Sequence, residues 1–184
     1  IESFTITEAL TGAQAQTFFL KVTQGLHPPA VKSVGRNTFG QLGDGTTTDR
    51  STAVAVSSVS GCTAIACGGN HSLFLLSDGT VKSVGYNTNG QLGDGSNLQR
   101  TTPVAVSGIT GCTAIAAGDY HSLFLLSDGT VKGVGLNNVG QLGDGTTTDR
   151  STAVAVSSVS GCTAIAGGGS LHSLFLLSDG TVKS

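Results

Sequence analysis

Short apolar segments alternate with turn-forming residues along most of the chain. Segments such as "TVKSVG", "TPVAVS", "CTAIAAG" and "HSLFLLS" have the length of strands and are rich in β-branched residues. Clusters of Gly, Asp, Asn and Ser separate them. This pattern predicts an all-β protein built from short antiparallel strands.

The segments recur as a repeat. "HSLFLLSDGTVKSVGYN" begins at position 71 and returns, with small changes, at position 121, which gives a period of 121 minus 71, or 50 residues. A further copy begins at His172, and segments 40–66 and 140–166 are identical. Four strand segments per period are typical of one propeller blade. We therefore predict a β-propeller-like array of four-stranded antiparallel blades.

The predicted array has about three full repeats and a divergent start. The repeats are 34–83, 84–133 and 134–184. Residues 1–33 are less regular, although "TFFLKVTQGLHPPAVKSVG" aligns loosely with "SLFLLSDGTVKSVG". Terminal repeats are commonly atypical, so this segment is interpreted as a divergent half-blade or a capping and assembly segment.

Turn residues recur with the strands. An Asp-Gly pair between two apolar strands predicts a two-residue type I′ hairpin with positive φ at both positions. The longer loops, such as "NTNGQLGDGSNLQR", contain glycines that we expect at backbone positions unfavourable to other residues. The predicted structural turn residues are Asp78, Gly79, Asp128, Gly129, Asp179 and Gly180 in the hairpins, and Gly40, Gly43, Gly45, Gly90, Gly93, Gly95, Gly140, Gly143 and Gly145 in the loops.

The glycine loops do not match nucleotide-binding motifs. They lack the lysine of GxxxxGK[ST] and the GxGxxG that opens a helix. Their acidic residues lack the spacing of a calcium loop, and Gln99 replaces the second acid in the middle repeat. We therefore predict no catalytic, cofactor-binding or metal site here. We expect turn and strand-end capping by Asp44, Asp49, Asp94, Asp144 and Asp149, with Asp44 as a solvated turn acid.

Histidines occupy one repeat position, at His71, His121 and His172. Equivalent positions are distributed around a propeller, so we expect partly buried histidines bonded to nearby backbone rather than a metal site. No Ser-His-Asp set is predicted either, because Ser72 and His71 are adjacent on a strand and face opposite sides of the sheet.

Cysteines show no metal or disulfide pattern. Cys62, Cys112 and Cys162 share a repeat position, whereas Cys67 stands alone. Neither CxxC nor a Cys/His zinc spacing occurs. On one straight strand Cys62 and Cys67 would lie about 16 Å apart, too far for a disulfide. Buried thiols are the favoured interpretation, and the redox state stays open.

Composition excludes several classes of partner. Charged residues make up 11%, the net charge is -2 and the pI is about 6.0, so no basic surface is available for nucleic acid. No apolar run approaches the roughly 18 residues of a membrane span. The start "IESFTITEAL" has no visible signal peptide, and the sequence does not decide between a complete chain and an excerpt.

Several motifs together resemble one known family. The set "GQLGDG", "PVAV", "TAIAAG" and "HSLFLLSDGTV", in order over about 34–184, resembles the repeat of the regulator of chromosome condensation family. The resemblance implies blades of a seven-bladed propeller. Bacterial members commonly have Trp where this chain has Val84 and Val134.

Three classes of function follow. The first is a non-enzymatic scaffold without cofactor, extracellular or at the cell surface, that binds other proteins or itself as a ring-completing dimer or a head-to-tail filament. The second, implied by the resemblance, is guanine-nucleotide exchange on a small GTPase. A hydrolase or lyase would need unrepeated acids or bases, of which the chain offers Glu2, Glu8, His27 and Asp119. A ligand-binding excerpt of a larger secreted propeller protein is a further alternative.

Overall fold

The fold is built from thirteen β-strands in the residues that the computed structural model describes, 31–169 and 171–184. In this part of the chain no helix is long and apolar enough to cross a membrane. The predicted segment 1–33 lies outside the described residues except for its last three. The strands are β1 (Lys32–Gly35), β2 (Arg50–Ala55), β3 (Cys62–Cys67), β4 (His71–Leu76), β5 (Val81–Gly85), β6 (Arg100–Ala105), β7 (Cys112–Ala117), β8 (His121–Leu126), β9 (Val131–Gly135), β10 (Arg150–Ala155), β11 (Cys162–Gly168), β12 (His172–Leu177) and β13 (Val182–Lys183).

These strands form four antiparallel sheets in chain order. Sheet I contains β1 and β2, sheet II β3 to β6, sheet III β7 to β10, and sheet IV β11 to β13. The prediction of four-stranded antiparallel blades is confirmed in sheets II and III. These sheets begin at positions 62 and 112, so they keep the period of 50 residues but start at a different point from the predicted repeats.

Apolar side chains of consecutive sheets pack against each other. Along β4, Leu73 and Leu75 face one side and Phe74 the other, as strand alternation requires. Leu73 and Leu75 belong to one core cluster with Phe124 and Val134 of sheet III. Burial of each such side chain contributes about 1.5–3 kcal/mol.

The same packing recurs between sheets III and IV. Leu123, Leu125 and Val131 of sheet III form a core cluster with Phe175 of sheet IV.

The third strands of sheets II and III each have a valine at the position where the family resemblance implies Trp. Val84 and Val134 are fully buried there, so the smaller side chain is accommodated within the core.

The Asp-Gly hairpins differ from the predicted type I′ turn. Gly79 has a φ of 77°, but Asp78 is not among the residues with positive φ. The Gly79 amide donates to the Leu76 carbonyl and the Leu76 amide to the Thr80 carbonyl, which makes a three-residue loop with glycine in the left-handed position. The Asp78 carboxylate accepts the amide and hydroxyl of Thr80, which holds this wider turn.

Candidate functional site

The glycine loops connect the third and fourth strands of a sheet and rest on the next sheet. All nine predicted loop glycines have positive φ, between 64° and 85°. A Cβ on Gly40 would lie 2.7 Å from the Cα of Thr101, and one on Gly90 would lie 2.6 Å from the Cα of Ser151. Only glycine therefore allows the two backbones to approach so closely.

A buried asparagine organises each loop. The side-chain amide of Asn87 donates to the carbonyls of Ser96 and Leu98, both at 3.0 Å, and to Asp94 Oδ1 at 3.2 Å. Its oxygen accepts the Leu92 amide at 2.9 Å. Asn37 and Asn137 make the same contacts in the neighbouring loops. The shared geometry of the three loops thus comes from one side chain in each.

The acidic residues of these loops accept backbone amides, which agrees with the predicted capping, but Asp44 is not the solvated turn acid that was expected. The side chain of Asp44 is 6% exposed and forms an ion pair of 2.7 Å with Arg50. Its Oδ1 also accepts the amide and hydroxyl of Thr46. The sequence did not reveal this pairing, because an irregular loop separates the acid from the arginine.

The hydrogen bonds that these carboxylates accept in their charged form lower their pKa values. Burial raises the pKa of Asp44, but hydrogen bonds from Thr46, Arg50 and Asn37 outweigh it and lower the pKa to about 2. The pKa of Asp144 is lowered to about 2 in the same way, and that of Asp94 is lowered. Within the described residues no cluster of His, Cys, Asp and Glu is arranged to hold a metal ion. The acids therefore stabilise the loops.

The histidines link consecutive sheets. His71 Nε2 lies 2.9 Å from Ser122 Oγ of the next sheet, and His121 Nε2 lies 3.1 Å from Ser173 Oγ. Both histidines are fully buried. These two histidines are therefore buried more deeply than predicted, and Nε2 of each bonds a side chain rather than nearby backbone. The partner is a side chain about 50 residues away, which spacing within one repeat does not reveal.

These Ser-His pairs are not placed for catalysis. Ser122 is fully buried, and its hydroxyl donates to the Gln91 carbonyl at 2.8 Å. Asp119 is the predicted unrepeated acid in the described residues. Through a backbone hydrogen bond and its charge it partly opposes the lowering of the His71 pKa by burial. A nucleophile must reach its substrate, which a hydroxyl enclosed between two sheets does not do.

Burial keeps both linking histidines neutral. Burial and the neighbouring His121 lower the pKa of His71 to about 4, partly opposed by Asp119. Burial and His172 lower the pKa of His121 to about 4. Both sheet junctions thus depend on an uncharged imidazole near neutral pH.

All four thiols are free. Cys112 and Cys162 are buried, as predicted, and burial raises the pKa of the Cys112 thiol to about 11. Cys67 is exposed, so the prediction of a buried thiol is wrong at this position. It ends β3, where burial alternates along the strand and places this residue on the open side. Cys62 lies at the other end of β3 from Cys67.

A row of aromatic side chains comes from the segments that connect strands in sheets I, II and III. Phe39 and Tyr86 meet edge to face with ring centroids 4.9 Å apart, and the Tyr86 and Tyr120 centroids are 6.2 Å apart. The guanidinium carbon of Arg36 lies 5.8 Å from the Phe39 centroid. All three rings are half-buried. We call Arg36, Phe39, Tyr86 and Tyr120 the aromatic stripe.

The aromatic stripe occupies positions at which the repeats differ. Arg36 and Phe39 correspond to Leu136 and Val139, although segments 40–66 and 140–166 are identical. Tyr120 corresponds to Asn70 one repeat earlier. These residues were not predicted as a site, because the sequence predictions followed what the repeats share. A position-by-position comparison of their differences would have identified them.

Family models and solved structures agree on the repeat. Two models described as the regulator of chromosome condensation (RCC1) repeat match the chain, one over 62–91 and 112–141, the other over 31–75 and 78–125. The second match alone spans half of the chain. A sequence search of curated proteins gave no match.

The solved structures similar to this chain include human WBSCR16, with 27% identity and a TM-score of 0.73 over 83% of this chain and 41% of that one. Yeast RCC1 (Prp20) bound to Kap60 has 23% identity and a TM-score of 0.70, covering 83% of this chain and 38% of that one. Prp20p from Saccharomyces cerevisiae has 23% identity and a TM-score of 0.68, covering 83% and 40%. The chain thus spans about two fifths of these proteins.

The repeat models cover strands, glycine loops and hairpins that the structure arranges as consecutive propeller-type sheets. The chain therefore belongs to the regulator of chromosome condensation (RCC1) repeat family.

Proposed function

We propose that this protein is a non-enzymatic scaffold that binds other proteins through the aromatic stripe. Proteins with this repeat are generally binding scaffolds. The observation that carries the proposal is the position of Arg36, Phe39, Tyr86 and Tyr120. Residues that the fold requires recur in every repeat, whereas these do not, so their identities are free to suit a partner.

The chemistry of the stripe suits a protein surface. Aromatic side chains and arginine are enriched at protein interfaces because they combine large apolar area with a polar end. Three half-buried rings in a row, with neighbouring centroids 4.9 and 6.2 Å apart, offer a continuous apolar strip. An extended peptide segment with apolar side chains fits such a strip, and an acidic group at its end would meet Arg36.

A peptide-display selection tests this binding surface. Peptides enriched on the wild-type chain are expected to lose at least tenfold in affinity for the double variant Tyr86→Ala and Tyr120→Ala. They should bind Leu98→Ala as they bind wild type, because Leu98 is an exposed apolar residue outside the stripe. Failure to enrich any peptide, or equal binding to all three proteins, contradicts the proposal.

Self-association and an extracellular or cell-surface location complete the proposal. Several large apolar side chains are exposed on the first and last sheets, which supports association of copies.

The low charge and the Ser- and Thr-rich strands fit a protein outside the cell. Protease treatment of intact source cells tests the location, since complete protection of the protein would contradict it.

Guanine-nucleotide exchange is the alternative that the family resemblance implies. The structure of Prp20p, one of those similar to this chain, is described together with its binding properties to Gsp1p and histones. In this chain each of the three glycine loops has the same internal hydrogen-bond network. None of them carries a distinct insertion within the described residues. Release of labelled GDP from a panel of small GTPases tests the alternative, and release above the intrinsic rate would replace the scaffold proposal.

A further inference from the structure

The contact between the two tyrosine rings of the aromatic stripe crosses the junction of sheets II and III. Tyr86 follows β5 of sheet II, and Tyr120 precedes β8 of sheet III. Their ring centroids lie 6.2 Å apart. The hydrogen bond of 2.9 Å between His71 Nε2 and Ser122 Oγ joins the same two sheets. The stripe is therefore continuous only while this junction stays closed.

Each tyrosine is tied to the histidine end of its own sheet. In sheet II, His71 pairs with Gly85, and Tyr86 is the next residue along the chain. In sheet III, Tyr120 directly precedes His121, the first residue of β8. A movement that separates the two sheets at His71 therefore also separates the two rings.

The hydrogen bonds at the junction define the tautomer of His71. The Ser122 hydroxyl has one proton, which it donates to the Gln91 carbonyl at 2.8 Å. Its oxygen therefore accepts the bond from His71, whose Nε2 carries the hydrogen of the neutral ring. Nδ1 is then the basic nitrogen, and it is buried with no hydrogen-bond partner among the described residues. A proton taken up by His71 is thus placed on Nδ1.

The backbones of both sheets enclose this nitrogen. A Cβ on Gly68, in the turn before β4, would lie 2.5 Å from His71 Nδ1, and it would also collide with the carbonyl oxygen of Gly118, in the turn before β8. The space between these parts of the described chain is therefore too small for a water molecule. Water can reach Nδ1 only when the two turns move apart.

Two ionisable groups of sheet III act on His71 through their charges. Burial and the neighbouring His121 lower the pKa of His71 to about 4, and Asp119 opposes them only in part. A charged His71 is thus poorly stabilised in the closed junction, whereas water hydrates it once the junction opens. Other ionisable side chains on the surrounding strands lie further along them or are exposed: Cys62 and Lys82 pair with Leu76 and Phe74, Cys112 pairs with Leu126, and Cys67 is exposed.

We propose that the junction of sheets II and III is a proton-controlled gate of the aromatic stripe. A proton from the solvent binds Nδ1 of His71, the turns at Gly68 and Gly118 separate to hydrate it, and the Tyr86 ring leaves the Tyr120 ring. The strip is then interrupted in its middle, so a peptide is bound near neutral pH and released in acid. Binding favours the closed junction and protonation the open one, so each opposes the other. This inference rests on the proposed binding function and adds its regulation by acid.

The junction of sheets III and IV offers an internal comparison. His121 Nε2 lies 3.1 Å from Ser173 Oγ, and the Ser173 hydroxyl donates to the Gln141 carbonyl at 2.7 Å. The hydrogen bonding is thus the same as at His71. In the described part of the chain, however, the two ring contacts of the stripe join Phe39, Tyr86 and Tyr120, and neither crosses this second junction. The gate is therefore assigned to His71.

Circular dichroism of the tyrosines tests the gate without any partner. Tyr86 and Tyr120 are the two tyrosines of the chain, which has no tryptophan, so the near-UV tyrosine band reports on the stripe. The wild type should lose this band between about pH 6.5 and about 4 and keep the far-UV signal of its sheets. His71→Gln retains an amide donor for Ser122 but takes up no proton, so its band should stay constant over this range.

Two further variants should move the transition in opposite directions. Asp119→Asn removes a charge that favours the protonated His71, so the loss of the tyrosine band should move to lower pH. His121→Gln removes a group that disfavours it, so the loss should move to higher pH. A merely structural role of either side chain would not produce these opposite shifts. If His71→Gln does not fold, as far-UV circular dichroism would show, these two variants still decide.

Peptides selected on the stripe measure the consequence for binding. Their affinity for the wild type should fall by at least about tenfold between about pH 6.5 and about 4. The same peptides should bind His71→Gln with little change over this range. This comparison separates the histidine from acidic groups of the peptide, which titrate equally with both proteins.

The inference is overturned by a constant tyrosine band in the wild type, by loss of the near-UV and far-UV signals together, or by the same response in a folded His71→Gln. Shifts of Asp119→Asn and His121→Gln in the same direction, or no shift in either, overturn it as well. If the band responds as expected but no peptide is enriched, the gate holds and the proposed function fails. Peptide affinity that is equal at both ends of the pH range refutes the gate and leaves the stripe as a binding surface.

Discussion

Gly90 and Gly95 lie in one loop with nearly equal φ, 83° and 82°, yet their surroundings differ. A Cβ on Gly90 would lie 2.6 Å from the Cα of Ser151 in the next sheet, whereas one on Gly95 would lie 3.9 Å from the nearest atom, a methyl group of Thr152. The two positions therefore separate the two reasons for a glycine. One is the left-handed backbone, and the other is contact between two backbones.

We expect Gly90→Ala to destabilise the protein more than Gly95→Ala. Both substitutions place a Cβ at positive φ, which costs about 1 kcal/mol. Gly90→Ala also forces the loop away from sheet III, which adds about 1–3 kcal/mol of overpacking. Urea unfolding of both variants measures the difference. Equal free energies of unfolding would mean that the loop moves away from Ser151 without cost.

The roles of residues in the glycine loops are only partly predictable from the sequence. The glycines are predicted as turn residues from their recurring positions between apolar strand segments, and their positive φ agrees with this prediction. The role of Asp44 was not predictable in this way, because its burial depends on Asn37 and Arg50 meeting around it. The type I′ turn was wrong for a similar reason, since the Asp78 carboxylate binds Thr80 and favours a wider loop.

At the scale of a whole loop, Asn87 holds the segment between β5 and β6. It is fully buried and bonds the backbone at Leu92, Ser96 and Leu98. Asn87→Ala would leave several buried polar groups without partners, which costs about 2–4 kcal/mol in all. Asn97→Ala removes one exposed bond to the Thr88 carbonyl and should cost under about 1 kcal/mol. Thermal midpoints of the two variants compare these effects, and similar shifts would contradict the central role of Asn87.

The junctions between sheets predict a dependence of stability on pH. The pKa of His71 and of His121 is about 4 in the folded chain, below the usual 6.5 of the unfolded state. Between pH 6.5 and about 4 the unfolded chain therefore binds more protons than the folded one. The stabilising contribution of the two neutral histidines should be complete above about pH 6.5. The free energy of unfolding should then fall as the pH decreases towards about 4, by at most roughly 3 kcal/mol per histidine.

Urea unfolding across this range measures the effect. The double variant His71→Gln and His121→Gln should show a much flatter dependence, whatever its stability at neutral pH. The loop acids do not interfere, since Asp44 and Asp144 have folded pKa values of about 2 and lose their contribution only below the unfolded value of 3.8. An unchanged slope in the double variant would show that other groups cause the loss.

The elements themselves were largely predictable, whereas contacts between them were not. Apolar segments of strand length and the period of 50 residues led to the four-stranded sheets, because each segment carries its own pattern. The bond between His71 and Ser122 joins neighbouring repeats and depends on how the sheets stack. The aromatic stripe arises in the same way, since Phe39, Tyr86 and Tyr120 come from different parts of the repeated sequence and meet only in the folded array.

At the scale of the whole molecule each sheet contacts the sheets before and after it in the chain order. Stability in such an array is approximately a sum of sheet terms and junction terms. Sheet III has a neighbour on both sides, whereas Leu174 and Leu176 of sheet IV are partly exposed. Identical "HSLFLL" strands therefore have different environments, and the sequence of one repeat alone does not reveal which of them is covered.

This difference predicts different rates of hydrogen–deuterium exchange in the two strands. In dilute solution the amides of residues 172–174 in β12 should exchange faster than those of 122–124 in β8, because β8 pairs along its length with β9 whereas β12 lacks a partner on that edge within the described residues. Equal exchange at 172–174 and 122–124 would mean that hydrogen bonding to a third strand does not limit exchange at these positions.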